Sequence, residues 1–306
     1  MSSFVSVVAP AKINLQLSVG PLRADGYHDL ATVFHAIDLV DTIIASDSES
    51  LRISVRGEGA QFVRADSSNL AAKAALALAD LHRISPRVYL ELEKRIPVAG
   101  GMAGGSADAA GALIACDALW NLRTPKAELQ SIAASLGPDV PFALSGGTAI
   151  GLGRGELLTP VITTGEFHWV IAISEGGLST PKVYAECDRL RAQQVPSQPE
   201  PTDYQPRISE GLVQALRAGD AYALASTLHN DLQAAAISLK PSLARVLDTG
   251  LELGALAGIV SGSGPTCVFL VASQDKALSI AASLSGSGVC RTVRTARGPV
   301  AGARQN

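Results

Sequence analysis

Between Pro97 and Ser106 the sequence carries Gly100, Gly101, Gly104 and Gly105, four glycines within six residues, and runs directly into an alanine-rich segment. Glycines at that density let the backbone adopt positive φ and approach a ligand closely, and the free N–H groups at the start of a helix near Ser106 favour an anion. The chemistry this fits is phosphate binding by main-chain groups. The same residues also suit a flexible turn, although such a cluster between a strand and a helix is dense for one. The nucleoside-triphosphatase loop ends in Gly-Lys-Ser/Thr, whereas here Ser106 follows Gly105 with no lysine. The dinucleotide fingerprint fails too, because Gly100 and Gly101 are adjacent, Met102 breaks the spacing, and no parallel βαβ pattern is read around the loop.

Other residues have the types needed for proton transfer and charge stabilisation. Asp139 stands between Pro138 and Val140-Pro141. Prolines fix φ and bias the residues before them away from helix, so the carboxylate is aimed in one direction, as a general base must be. An ordinary turn-forming aspartate accounts for the same residues. From Ala11, Lys12, Asn14, Gln16 and Ser18 alternate with Ile13, Leu15, Leu17 and Val19, the pattern of a strand. Residues two apart stand ~6.6 Å from each other on one side, so Lys12 and Asn14 point into the same space. Alternation alone favours a solvated outer face for them. Asp25-Gly26 signals a turn that presents Tyr27 and His28, either to a ligand or simply to solvent.

The elements that must position these residues follow from periodicity. Val33–Ile44 and Leu51–Val55 read as further strands, and Ser67-Ser68-Asn69 supplies capping residues ahead of a helix that opens at Leu70. Val88, Leu90 and Leu92 alternate with Tyr89, Glu91 and Glu93, giving the strand ahead of the glycine loop. Thr124-Pro125 reads as a cap and first position of a helix to about Leu136. A strand at His168–Ser174 precedes Ser179-Thr180-Pro181, which caps a helix carrying Tyr184. Prolines between Gln193 and Pro206 mark an extended connection. Helices are expected over Ile208–Arg217, Ala221–Ala235 and Pro241–Gly250, then strands at Ala257–Ser261 and Thr266–Val271, a helix from Asp275 and a strand near Cys290. Ser261 to Thr266 forms a second glycine turn, placed to approach the first loop. The expected class is α+β in two domains, 1–158 and 159–306, with no internal repeat.

Composition narrows the function. With 306 residues, 47% hydrophobic and 17% charged, the chain is globular, and a net charge of −3 gives no pull toward nucleic acid or an anionic membrane. Arg291, Arg294, Arg297 and Arg304, with no acid after Asp275, read as a ragged tail solvated by its own charge. Cys116, Cys187, Cys267 and Cys290 lack metal or redox spacing and read as reduced core thiols. The first residues carry no basic and apolar leader, and no apolar run approaches the ~18 residues of a membrane span, so a cytoplasmic protein is expected.

Taken in order, these stretches resemble the GHMP kinase superfamily. The resemblance is carried by Ala9–Leu15, Asp25–His28, Pro97–Ala110, Gly137–Phe142 with Gly153–Glu156, and His229–Leu232 with Ser261–Gly264, and it spans nearly the whole chain. It is nearest to the members that phosphorylate a cytidine diphosphate-linked methylerythritol. The implied fold is an N-terminal domain like ribosomal protein S5 domain 2 and a C-terminal ferredoxin-like domain, with ATP, Mg²⁺ and a small-molecule substrate between them and no nucleic acid or membrane partner. The resemblance makes Asp139 the base for the acceptor hydroxyl and Lys12 the group that steadies the developing charge, and so overrides the plainer readings of both. It places Asn14 beside the acceptor, and Tyr27, His28, Thr180 and Tyr184 around the cytosine. Pro97, Gly100, Gly101, Met102, Ala103, Gly104, Gly105, Ser106 and Ala107 hold the ATP phosphates, with Asn69 and Leu70 beside the adenine. It assigns no metal ligand. Ala103 replaces a usual glycine, Ala107 a frequent serine, and Tyr184 a common phenylalanine, and a Cβ at Ala103 costs energy if φ there is positive. A GHMP-fold decarboxylase lacks the Tyr27-His28 pair, and a non-catalytic relative has no use for Lys12 with Asp139.

Overall fold

The computed structural model describes residues 4–194 and 205–306, so Pro196, Pro199 and Pro201 of the expected connection lie outside the described residues. The alternation at Ala11 belongs to a long strand, β1 (Phe4–Leu22), antiparallel to β2 (His28–Ser46). The chain continues through β3 (Arg52–Gly57), α1 (Leu70–Leu81), β4 (Tyr89–Lys94), α2 (Gly104–Leu119), α3 (Lys126–Leu136), α4 (Val140–Ser145), β5 (Thr148–Gly153) and β6 (Leu157–Pro160). β3 and β4 pair in parallel across α1, so a βαβ unit does precede the glycine loop. Parallel strands usually read as continuous apolar runs, whereas these alternate like antiparallel ones, which hid the unit in the sequence.

Small side chains decide how α1 and α2 lie on this sheet. Ala107 to Leu113 of α2 are buried without interruption, and a Cβ on Gly111 would stand 2.4 Å from Ile43 Cδ1, so alanine and glycine let the helix sit close on β1 and β2. Each large side chain buried beneath, such as Leu78, Leu90 and Ile43, contributes roughly 1.5–3 kcal/mol.

The second half runs through β7 (Phe167–Ile173), α5 (Thr180–Gln194), α6 (Glu210–Ala218), α7 (Ala221–Ala225), β8 (His229–Asn230), α8 (Gln233–Leu239), α9 (Ser242–Glu252), β9 (Ala257–Val260), β10 (Cys267–Val271), α10 (Gln274–Ser287), β11 (Thr292–Gly298) and β12 (Arg304–Gln305). Its antiparallel sheet is ordered β11-β7-β10-β9, the ferredoxin-like arrangement. Phe167 and Trp169 share one core with Leu90 and Leu113 of the first half. β8 and β12 both join the first sheet by pairing with β1.

Several expectations are corrected. The helix expected over Ala221–Ala235 is broken at β8, because Asn230 and Asp231 bond elsewhere. Asn230 donates to the Val260 and Gly262 carbonyls at 2.7 and 2.8 Å, and Asp231 accepts the Val19 N–H at 2.7 Å. Thr124 does not cap α3; its hydroxyl bonds His82 and its N–H bonds Asp117. The arginines are not a ragged tail. Arg291 and Arg294 both reach Glu58, and Arg297 pairs with Asp38, so β11 is tied to the first half by ions whose partners lie more than 230 positions earlier. All the cysteines are free, Cys290 partly exposed and the others buried. Among the described residues no helix is long and apolar enough to cross a membrane.

Candidate active site

The face carrying Lys12, Asn14, Gln16 and Ser18 is not solvated: each of these residues is buried, and Gln16 bonds the Arg207 carbonyl and the Ser209 N–H of the second half. Their polar groups satisfy one another, as burial requires. Lys12 Nζ donates to Asn14 Oδ1 at 2.6 Å, Asn14 Nδ2 to Thr32 Oγ1 at 2.7 Å, and Thr32 to the Gln16 carbonyl. Burial pushes the Lys12 ammonium below its ordinary pKa, and the charge of Asp139 opposes that shift. Asp139 sits at the N-cap of α4 with helical φ and ψ, yet its side chain makes no cap bond. The prolines therefore do not extend the chain here. Pro141 falls in the first turn of α4, where no donor is needed, and the carboxylate is left to face the cavity it shares with Lys12.

The glycine loop leaves β4 at Pro97 and enters α2 at Gly104, earlier than Ser106. Ala99, Gly101 and Ala103 all have left-handed φ, at 55°, 76° and 58°. An alanine at Ala103 holds the left-handed turn at a cost of roughly 1–2 kcal/mol relative to glycine. The loop is pinned on both sides: Met102 accepts from the Lys12 N–H at 3.2 Å, and the Gly101 carbonyl accepts from Ser261 Oγ at 3.2 Å. The Ser261–Thr266 turn thus meets the first loop as expected. Met102 and Ala107 are fully buried and turn their side chains into the core, while Gly104 and Gly105 line the cavity, where the first-turn N–H groups of α2 lack helical acceptors.

A Cβ on Gly101 would stand 2.2 Å from the Ser261 carbonyl and 3.1 Å from the Gly264 nitrogen, both backbone atoms. A Gly101→Ala variant is therefore expected to push the two glycine turns apart and raise the ATP Kd by about tenfold or more, a loss of ~1.4 kcal/mol. Calorimetry on a variant shown to be folded checks this. An unchanged ATP Kd would place the phosphates away from Gly101.

The cavities form a continuous row. A space of about 280 Å³ is lined by Phe62, Asn69, Leu70, Lys94 and Asp108. It shares Pro97, Ala99, Gly104 and Gly105 with a central space of about 390 Å³ that holds Lys12, Asn14, Thr32, Phe34 and Asp139. That space in turn shares Pro138, Arg154, Thr180 and Tyr184 with a third, about 590 Å³, lined by Tyr27, His28 and Asp188. Asn69 spends both ends of its side chain locally, accepting from Ala71 N–H at 2.9 Å and donating to the Arg64 carbonyl at 2.7 Å, so it shapes the wall rather than offering free groups. His28 packs against Tyr184 with ring centroids 5.0 Å apart and planes tilted by 38°, and its Nε2 lies 3.0 Å from Asp188. Burial, and then the nearby Asp139 charge, raises the Tyr184 hydroxyl pKa, so it remains protonated. Thr180 Oγ1 bonds Ser263 at 2.9 Å, linking α5 to the second glycine turn.

Glycine-loop backbone, a buried lysine, a carboxylate and an aromatic far end thus lie in one cleft between the halves. The model for the GHMP kinases N-terminal domain matches residues 69–147, and that for the GHMP kinases C-terminal domain matches 212–290. A protein of Nocardia farcinica named 4-diphosphocytidyl-2-C-methyl-D-erythritol kinase is 55% identical over 302 residues, covering 98% of this chain and 95% of its own length. The chain belongs to the GHMP kinase family. A protein of the same name from Mycobacterium tuberculosis is 52% identical over 98% of the chain and 92% of its own length. Among solved structures, a 4-(cytidine 5'-diphospho)-2C-methyl-D-erythritol kinase superposes with a TM-score of 0.76 at 31% identity, covering 95% of this chain and 98% of that one. A mevalonate kinase of L. major reaches 0.76 at 16% identity over 98% of both chains, a likeness of fold alone.

The sequence reading missed Lys94, Asp108, Arg154 and Asp188 as wall residues of this GHMP kinase. For Lys94 a signal existed: it continues the buried face of β4 after Leu90 and Leu92. Asp188 lies four residues after Tyr184 on α5 and so on the same helical face.

Proposed function

We propose that this GHMP kinase transfers the γ-phosphoryl group of ATP to the 2-hydroxyl of 4-diphosphocytidyl-2-C-methyl-D-erythritol, a step in non-mevalonate isoprenoid precursor biosynthesis. The observation that carries the reading is the row of cavities with Lys12 and Asp139 at its centre, an aromatic pair with His28 at one end, and a glycine loop toward the other. The share of the chain matched by relatives carrying that substrate in their names supports it.

In this reading 1–158 supplies the phosphate loop, Lys12 and Asp139, and 159–306 supplies Thr180, Tyr184 and Asp188. Asp139 takes the proton of the acceptor hydroxyl as its oxygen bonds the γ-phosphorus and the bond to the ADP oxygen breaks. Lys12 and the backbone N–H groups of Gly104 and Gly105 lower the energy of the charge spread over the transferred group. Among the described residues no cluster of acidic, histidine or cysteine side chains is built to hold a metal, and Asp139 is the one carboxylate lining the central cavity. That donor set fits a Mg²⁺ ion bound mainly by nucleotide phosphates and water, which would neutralise phosphate charge. ADP release with the cytidyl substrate, compared with mevalonate and homoserine, tests the assignment. Turnover of mevalonate at a higher kcat/KM than the cytidyl substrate would reject it.

The Asp188 contact refines how the base is read. A neutral His28 that donates its Nε2 proton to Asp188 presents the Nδ1 lone pair, an acceptor suited to the amino group of cytosine and unsuited to the carbonyl of uracil. His28→Ala is expected to lower the cytidyl-to-uridyl ratio of kcat/KM by roughly tenfold, about the cost of one lost polar partner. Tyr184→Ala is expected to weaken both substrates alike, because stacking tolerates any base. An unchanged ratio in His28→Ala would show that another group reads the base.

A further inference from the structure

The geometry points to Arg154 as the residue that holds the diphosphate linker of the substrate, an inference that rests on the substrate proposed above. The ends of such a substrate are fixed by chemistry: the acceptor hydroxyl must lie at Asp139, and the base at Tyr184 and His28. What joins them has to pass the wall shared by the central and far cavities, formed by Leu30, Pro138, Arg154, Thr180 and Tyr184. Among the described residues Arg154 is the only cation in that wall.

Its charge is also free. Across the two cavities the other permanent cation is Lys12, which is bonded to Asn14 and faces Asp139. Among the described residues no carboxylate lies within ion-pairing distance of the Arg154 guanidinium, whereas Arg23, ahead of the Tyr27 turn, and Arg189 and Arg191 of α5 are all paired. Glu156, two residues away, is turned instead to the Arg154 backbone N–H at 2.7 Å. The guanidinium rests 5.2 Å from the centre of the half-exposed Tyr27 ring, a contact with the ring face that leaves its N–H donors free. An unpaired planar guanidinium is matched to phosphate oxygens, which it binds two at a time. The two residues then divide the work, Tyr27 bringing the cation to the middle of the cleft and Arg154 meeting the linker there.

Calorimetric titration with cytidine and with cytidine diphosphate, on the wild-type chain, Arg154→Met and Arg154→Lys, tests this. Arg154→Met is expected to raise the Kd for cytidine diphosphate by about 10- to 100-fold, the loss of a charge-assisted contact, while shifting cytidine by less than about twofold. Arg154→Lys should recover part of the loss, and ATP affinity should stay at the wild-type value in both. Equal weakening of cytidine and its diphosphate would make Arg154 a support for Tyr27 and overturn the assignment. An unchanged Kd for the diphosphate would overturn it as well. A wild-type chain that binds neither ligand yet phosphorylates another alcohol would remove the substrate reading itself.

Discussion

Asp139→Asn is expected to lower kcat by about 10² to 10⁴, the usual contribution of a general base, with substrate and ATP affinities little changed. The replacement keeps size and polarity, so the loss would belong to proton acceptance alone. Compensation is hard to find, since among the described residues no other carboxylate lines the central cavity and the lysine there is already committed to Asn14. The α4 cap is also indifferent to the change, because the Asp139 side chain makes no cap bond. Steady-state ADP release with calorimetric Kd values separates the two quantities. A kcat near that of the wild-type chain would mean that positioning and charge stabilisation suffice, and Asp139 would lose its role as base.

Lys94→Met is expected to cost roughly 3–5 kcal/mol of stability, because it leaves charge buried without its partner. Lys94 is almost fully buried and bonds Asp41 and Asp108, both buried too, while Asp41 also takes the Arg95 and Ile96 N–H groups. Burial pulls the Lys94 pKa down, but the carboxylates, Asp108 foremost, hold it above its ordinary value. Burial raises Asp108 to about 7, although Lys94 opposes this. A carboxyl raised in the folded state binds a proton that the unfolded chain has already released, so its contribution to stability falls as pH rises from about 4 through 7. Without Lys94 that fall steepens. Urea unfolding should therefore find Lys94→Met closer to wild type at pH 5 than at pH 8. An equal deficit at both values would show that Asp108 stays ionised throughout.

Local signals were good guides where one short stretch decides the outcome. The helix from Leu70, the alternation around Lys12 and the strand, glycine loop and helix at Pro97 are each fixed by their own neighbours, and they stand where periodicity put them. What was illegible depends on distant partners. Nothing near Arg291 or Arg297 announces Glu58 or Asp38, so a strand fastened by ion pairs looked like a charged tail. Alternation shows that Lys12 and Asn14 share a face but not that the second half covers it. The Asp25–His28 stretch is readable as a turn, whereas the contact of His28 with Asp188 spans 160 positions.

The helix that begins just after Asp139 has its floor supplied from far along the chain. Gly146 bridges to Ala301, Gly147 N–H donates to the Val300 carbonyl at 2.7 Å, Ala303 N–H to Ala143 at 2.9 Å, and Gly302 lies so close that a Cβ on Gly146 would reach within 2.0 Å of its nitrogen. Contacts at such separation are slow to form, because a long loop must close before they repay its entropy. The β1–β2 hairpin and the strand and helices around the glycine loop can assemble from near neighbours, whereas the wall carrying the carboxylate closes only when residues 300–303 arrive. The glycine loop waits in the same way on the Ser261–Thr266 turn, 160 positions after Gly101, so both walls of the cleft are completed only by the second half of the chain.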